Sequence, residues 1–93
     1  MFSVVFHKKV LQEDLRKIDT FSLRVIQKMI HSKLKKDPFL YGKPLRKSLV
    51  GLRSLRVGNY RVIYKIQNKE IKIYVMVIAK RSIVYDLAEK RMN

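Results

Sequence analysis

Leu52-Arg53-Ser54-Leu55-Arg56-Val57-Gly58-Asn59-Tyr60-Arg61-Val62-Ile63-Tyr64 reads as two strands folded about a two-residue turn, with three arginines and no acid. Gly58 and Asn59 both tolerate positive φ, which the twist-matched I′ and II′ hairpin turns require. Val57, Tyr60, Val62, Ile63 and Tyr64 are the β-branched and aromatic residues that strand surfaces favour. Arg53, Arg56 and Arg61 are not explained by strand propensity. They are placed either to meet anions or to form a solvated basic face, and the hairpin alone does not separate the two.

Charge shifts that balance. The 93 residues carry 22 Lys+Arg against 7 Asp+Glu, a formal net charge of +15. Self-repulsion of that size opposes the compact state unless an anionic partner relieves it. Between Pro38 and Lys69 there is no acid, while Lys43, Arg46, Lys47, Arg53, Arg56, Arg61, Lys65 and Lys69 all fall inside. Phosphate backbones are the usual targets of such segments. A membrane surface would ask for a basic amphipathic helix or a lipid anchor, and this charge lies on strands and loops.

The length suits one small domain, residues 1–93, burying roughly 60% of its unfolded surface. With no cysteine there is no disulfide framework and no thiolate zinc site. Two histidines far apart in sequence make a poor metal set, so no metal or other cofactor is expected. His7 and His31 read as surface or capping residues. The apolar run from Ile73 to Ala79 is far below the roughly 20 residues of a membrane helix and reads as a central strand buried on both faces. Lys8 and Lys9 follow the apolar Met1–Phe6 stretch, the reverse of a secretory signal, so a cytoplasmic location is expected.

On either side of the hairpin the pattern predicts an α+β order, β-α-α-β-β-β-α. Phe2–Phe6 is a short strand. Val10, Leu11, Leu15 and Ile18 recur at helical spacing, predicting a helix over His7–Ile18 with Glu13, Arg16 and Lys17 outward. Asp19 and Thr20 can cap a second helix, whose stripe of Val25, Ile26, Met29, Ile30 and Leu34 stops at Asp37-Pro38. Strands follow over Leu52–Val57, Tyr60–Gln67 and Ile71–Ala79, then a last helix over Val84–Met92. The expected sheet is four-stranded and mostly antiparallel, with the helical hairpin on one face and a basic open face on the other.

Lys43-Pro44-Leu45, Leu49-x-Gly51-Leu52-x-x-Leu55-Arg56-Val57-Gly58-Asn59-Tyr60-Arg61-Val62-Ile63-Tyr64 and Lys80-Arg81-x-x-x-Tyr85 together resemble the RelE/ParE superfamily of toxins, over nearly the whole chain. The resemblance implies the RelE-like, microbial-RNase-like fold and a toxin of a type II toxin-antitoxin system, held in check by a small acidic antitoxin. In the RelE branch such a toxin enters the ribosome and cuts mRNA without a metal. In the ParE branch it poisons DNA gyrase. A plain basic RNA-binding module remains a third class.

Metal-free RNA cleavage needs three services: removal of the 2′-hydroxyl proton, stabilisation of a crowded phosphorane, and protonation of the departing 5′-oxygen. Arginine suits the second, because its fork donates to two phosphate oxygens at once. By resemblance Arg61 matches the family's phosphate-stabilising arginine, and Arg81 the arginine for charge stabilisation and leaving-group protonation. Tyr85 matches the tyrosine that stacks on the displaced base or takes part in proton transfer. Lys80 stands where many members have His, and an ammonium is the poorer proton shuttle. Lys43, Arg46, Lys47, Arg53, Arg56 and Lys80 are the candidate phosphate-binding residues. Leu52 and Ser54 occupy positions where RelE-type nucleases often have lysines implicated in activating the 2′-hydroxyl. Arg53 points to the other sheet face if its strand is regular. The proton-abstracting position is therefore vacant unless Lys43 or Lys47 fills it. Tyr60, Tyr64 and Tyr74 read as sheet packing, whereas Tyr41, in the loop, could meet a base.

Overall fold

A computed structural model describes residues 1–92. Among these residues five strands form one sheet in the order β1-β5-β4-β3-β2, where β1 is Ser3–Phe6, β2 Lys43–Pro44, β3 Arg53–Val57, β4 Tyr60–Gln67 and β5 Lys72–Lys80. β1 runs parallel to β5 and the other pairings are antiparallel. The α+β class and the element order agree with the sequence reading, but the sheet has five strands rather than four. The extra strand is the two-residue β2, paired through Lys43 with Ser54 and Pro44 with Arg53. So short a strand carries no alternation, and the sequence pattern does not betray it.

The hairpin folds as its residues demand. Gly58 takes φ 58° while Asn59 stays outside the positive-φ region, so only the first central position is left-handed, as a II′ turn asks. β5, between β1 and β4, is the buried central strand the apolar run implied, with Ile73, Val75 and Val77 fully buried. Tyr64 pairs with Val75 and Ile63 with Val77, leaving Met76 bulged and unpaired across β4. That one extra residue switches the alternation of β5. Ile73, Val75 and Ile78 therefore face one core, and Val77 and Ala79 the other.

The first core lies under the helical half of the chain. α1, Thr20–Met29, starts at Asp19, whose carboxylate accepts from the Ser22 amide at 3.0 Å; this bonding holds the Asp19 carboxyl below its ordinary value. α1 widens into a π-turn over Ile30–Leu34, and Ile26, Ile30 and Leu34 pack on Leu55, Val57, Val62 and Tyr64; a single helical turn, α2, Pro38–Tyr41, follows. The helix expected over His7–Ile18 is instead a π-turn, Val10–Asp14, followed by a 3₁₀ turn, Leu15–Lys17. The wide turn brings Asp14 inward to accept from the Ile78 amide, and Leu11, expected in the apolar stripe, is 55% exposed.

The second core corrects the expectation of an open basic face. α3, Arg81–Met92, begins three residues earlier than the pattern suggested and packs Val84 and Ala88 on Leu52, Ile63, Val77 and Ala79. Beyond α3, toward β2 and β3, the same sheet face opens into a cleft.

Candidate functional site

β3 and β4 place Arg56 directly opposite Arg61 on the sheet face that carries α3. Cβ atoms of such cross-strand pairs lie about 5 Å apart, and like charges there repel. Arg81 arrives from a third direction. β5 runs straight into α3, and the Arg81 amide donates to the Asn59 carbonyl at 3.0 Å, tying the helix start to the hairpin turn. Tyr85 follows one turn later on the same helical face, its hydroxyl 3.5 Å from that of Ser54.

These residues line an open cleft of about 460 Å³. Its cations are Lys43, Arg56, Arg61 and Arg81, its hydroxyls Tyr41, Ser54 and Tyr85, with Pro44 and Leu45 completing the wall and no carboxylate among them. Arg61 Nη1 donates to the carbonyls of Gly58 at 3.0 Å and Tyr60 at 2.9 Å, which turns the guanidinium back along the hairpin and leaves its charge uncompensated. A site of this kind attracts a phosphate and holds it from several sides.

Not every basic residue singled out in the sequence lies here. Arg46, Lys47, Arg53 and Lys80 do not line the cleft. Arg53 points to the opposite face, as regular alternation requires, and donates to the carbonyls of Phe39 at 2.7 Å and Gly42 at 2.5 Å. Arg53 thus fastens the loop before β2. Lys80 ends β5 on the first-core side and lines a separate groove with Asp14, Lys17 and Arg91. Arg46 and Lys47 are exposed at a 3₁₀ turn, Lys47–Leu49, with Lys47 at φ 55°. Leu52 is buried in the second core, so of the two positions lacking a lysine only Ser54 faces the cleft. Among the described residues no group of His, Asp and Glu is placed to hold a metal ion, and no helix is long and apolar enough to cross a membrane.

Two supports of the site were invisible in the sequence. The loop 38–42 that brings Tyr41 to the cleft is gripped from below: the buried Tyr64 hydroxyl donates to the Pro38 carbonyl at 2.7 Å, beside the two Arg53 bonds. Desolvation raises the Tyr64 pKa, which keeps that hydroxyl a donor. Gly42 is required, because a Cβ there would overlap the Tyr64 ring and hydroxyl. The far end of α3 is anchored by Arg91, which reaches Asp14 across the edge of β5. One of two adjacent acids in a predicted helix and an arginine far along the chain give no signal of such a partnership.

Comparison with known proteins identifies the family. The family described as the ParE toxin of type II toxin-antitoxin systems, parDE, matches residues 4–85. The toxin RelE of Mycobacterium tuberculosis is 35% identical over 80 residues, spanning 86% of this chain and 77% of the relative. The toxin RelG of the same organism is 30% identical over 74 residues, 80% of this chain and 85% of the relative. Among solved structures, a chain of the Mycobacterium tuberculosis RelBE2 toxin-antitoxin complex superposes with a TM-score of 0.80 at 29% identity, covering 86% of this chain and 98% of that one. The isolated Escherichia coli RelE toxin, at 22% identity, shares the fold over the full length of both chains with a TM-score of 0.70. The chain belongs to the ParE toxin family of type II toxin-antitoxin systems and is a RelE-like toxin.

Proposed function

We propose that the chain is an mRNA endoribonuclease that acts on the ribosome, and that the cleft between β3, β4 and α3 is its active site. The observation that carries this reading is the convergence of Arg56, Arg61 and Arg81 on one acid-free cleft that also holds the Tyr85 hydroxyl. In the proposed reaction the 2′-oxygen of one nucleotide attacks the adjacent phosphorus. The P–O5′ bond breaks, leaving a 2′,3′-cyclic phosphate and a 5′-hydroxyl. Arg61 and Arg56 bind the non-bridging oxygens, whose negative charge grows in the phosphorane. Arg81, at the helix start, stabilises the departing 5′-oxygen and directs its protonation. Tyr85 stacks on the displaced base or passes a proton. Lys43, opposite Ser54 in the β2–β3 pairing, is the cleft cation that can favour the ionised 2′-oxygen.

A cognate acidic antitoxin is the proposed protein partner. The net charge of +15 favours an acidic chain, and a relative of known structure was solved as a toxin-antitoxin complex.

A second reading rests on a specific observation. The matching family is that of ParE, and the cleft presents the Ser54 hydroxyl where nucleases of the RelE branch often carry a lysine. Under that reading the protein inhibits DNA gyrase and cuts no RNA. Induced expression with mapping of mRNA 5′ ends separates the two. Truncated messages with intact DNA support the nuclease, and DNA breaks with full-length messages support the gyrase inhibitor.

A further inference from the structure

We infer that Tyr41 forms a nucleobase-binding subsite at the rim of the cleft, holding by stacking a base that flanks the bound phosphate; this rests on the nuclease reading of the cleft. Tyr41 lines the cleft yet is 43% exposed, and it belongs to a single helical turn, Pro38–Tyr41, too short to hold a side chain in place by itself. The fold immobilises that turn from several sides. Asp37 Oδ1 accepts from the Leu40 amide at 3.2 Å. Tyr64 and Arg53 take the carbonyls of Pro38, Phe39 and Gly42. Phe39 meets Phe2 edge-on, with ring centroids 6.4 Å apart. Lys33 Nζ also lies over the Tyr41 ring, 5.2 Å from its centroid.

An exposed aromatic ring has no packing reason to be held so firmly. The lysine approaches one face of the ring, and the residue remains partly exposed to a partner. The partner must tolerate a strongly cationic surround and present a flat π-surface next to a phosphate, which describes a nucleobase of single-stranded RNA. Immobilisation in advance removes the ordering cost that a mobile tyrosine would incur on binding. The role inferred for Tyr41 is affinity and placement of the strand.

The test uses a short 2′-O-methyl RNA oligonucleotide, which cannot undergo 2′-oxygen attack, and the same oligonucleotide with abasic positions. Wild type is expected to bind the base-bearing form about tenfold more tightly than the abasic form. Tyr41→Ala is expected to lose about tenfold on the base-bearing form, with little change on the abasic one, and Tyr41→Phe to retain the wild-type ratio. A Tyr41→Ala protein with the wild-type ratio overturns the subsite, as does a wild type that does not distinguish the two RNAs. Thermal melting of Tyr41→Ala, expected to match wild type at this exposed position, excludes misfolding as the cause. Ribosome-programmed cleavage is measured alongside. A wild type that cleaves while the binding ratio is insensitive to Tyr41 overturns the subsite alone. A wild type that discriminates through Tyr41 but does not cleave overturns the nuclease reading and leaves the subsite standing.

Discussion

Arg91 grips Asp14 with two parallel bonds of 2.7 Å, Nη1 to Oδ2 and Nη2 to Oδ1, with both side chains 3% exposed. The pair also completes the sheet edge. β1 covers β5 only as far as Val75, and beyond it the Met76 carbonyl accepts from Arg91 and the Ile78 amide donates to Asp14, each at 2.9 Å. One ion pair thus satisfies a strand edge and fixes the last turn of the helix that carries Arg81 and Tyr85.

Breaking this pair from one side leaves a buried charge without a partner, which costs about 3–5 kcal/mol. Arg91→Leu is expected to lower the melting temperature by roughly 10 °C or more. Asp14→Leu combined with Arg91→Leu is expected to cost less than the sum of the single changes, because no orphaned charge remains. Thermal melts of the three variants check this, and additive losses would contradict it.

The clamp under the cleft loop makes a second expectation. Tyr64→Phe removes the donor to the Pro38 carbonyl and is expected to cost about 1–3 kcal/mol. Gly42→Ala forces a Cβ into the Tyr64 ring and is expected to cost at least as much. Urea unfolding gives both values, and a neutral Gly42→Ala would mean the loop sits elsewhere.

His7 makes stability depend on pH. Partial burial, and then the charges of Arg91, Lys9 and Lys8, hold its pKa below the ordinary 6.5. Its Nδ1 accepts from the Lys9 amide at 3.0 Å, and its ring meets Tyr74 edge-on. The unfolded chain therefore takes up the proton first. The contribution of neutral His7 is complete above pH 6.5 and is lost as pH falls through 6.5 toward the lower folded pKa. His7→Gln is expected to flatten the melting-temperature profile in that window. An unchanged slope would show that another group sets it.

If the cleft binds RNA through phosphates, affinity should fall linearly on a log-log plot against salt. Each of Lys43→Ala, Arg56→Ala and Arg61→Ala should reduce the slope by roughly 0.7–0.9. Arg53→Ala should leave the slope unchanged while lowering stability, because its guanidinium is committed to loop carbonyls. Binding titrations across a salt series distinguish the two classes of arginine.

The hairpin and the central strand were legible because their signals are local. Gly58 at a turn, β-branched runs and a seven-residue apolar stretch fix strands wherever they occur. The meeting of Arg61, Arg81 and Tyr85 was read from the resemblance of motifs, and the hairpin-to-helix bond from Arg81 to Asn59 supplies its geometric basis. What escaped depends on partners distant in sequence. Asp14 reads as one more acid until Arg91 is brought to it, and Arg53 looks like a phosphate ligand until the carbonyls of Phe39 and Gly42 surround it. The Met76 bulge, which sets the face of every later residue in β5, leaves no compositional mark because a methionine fits either register.

In the proposed reaction Arg61 and Arg81 stabilise charge that develops as RNA is cleaved. Single-turnover cleavage of mRNA on programmed ribosomes is compared for wild type, Arg61→Ala and Arg81→Ala. Both substitutions are expected to slow cleavage by about two to three orders of magnitude while weakening ribosome binding far less. Arg81→Lys should remain slow, since a point charge does not reproduce the fork. Cleavage at the wild-type rate in both alanine variants would contradict the assignment.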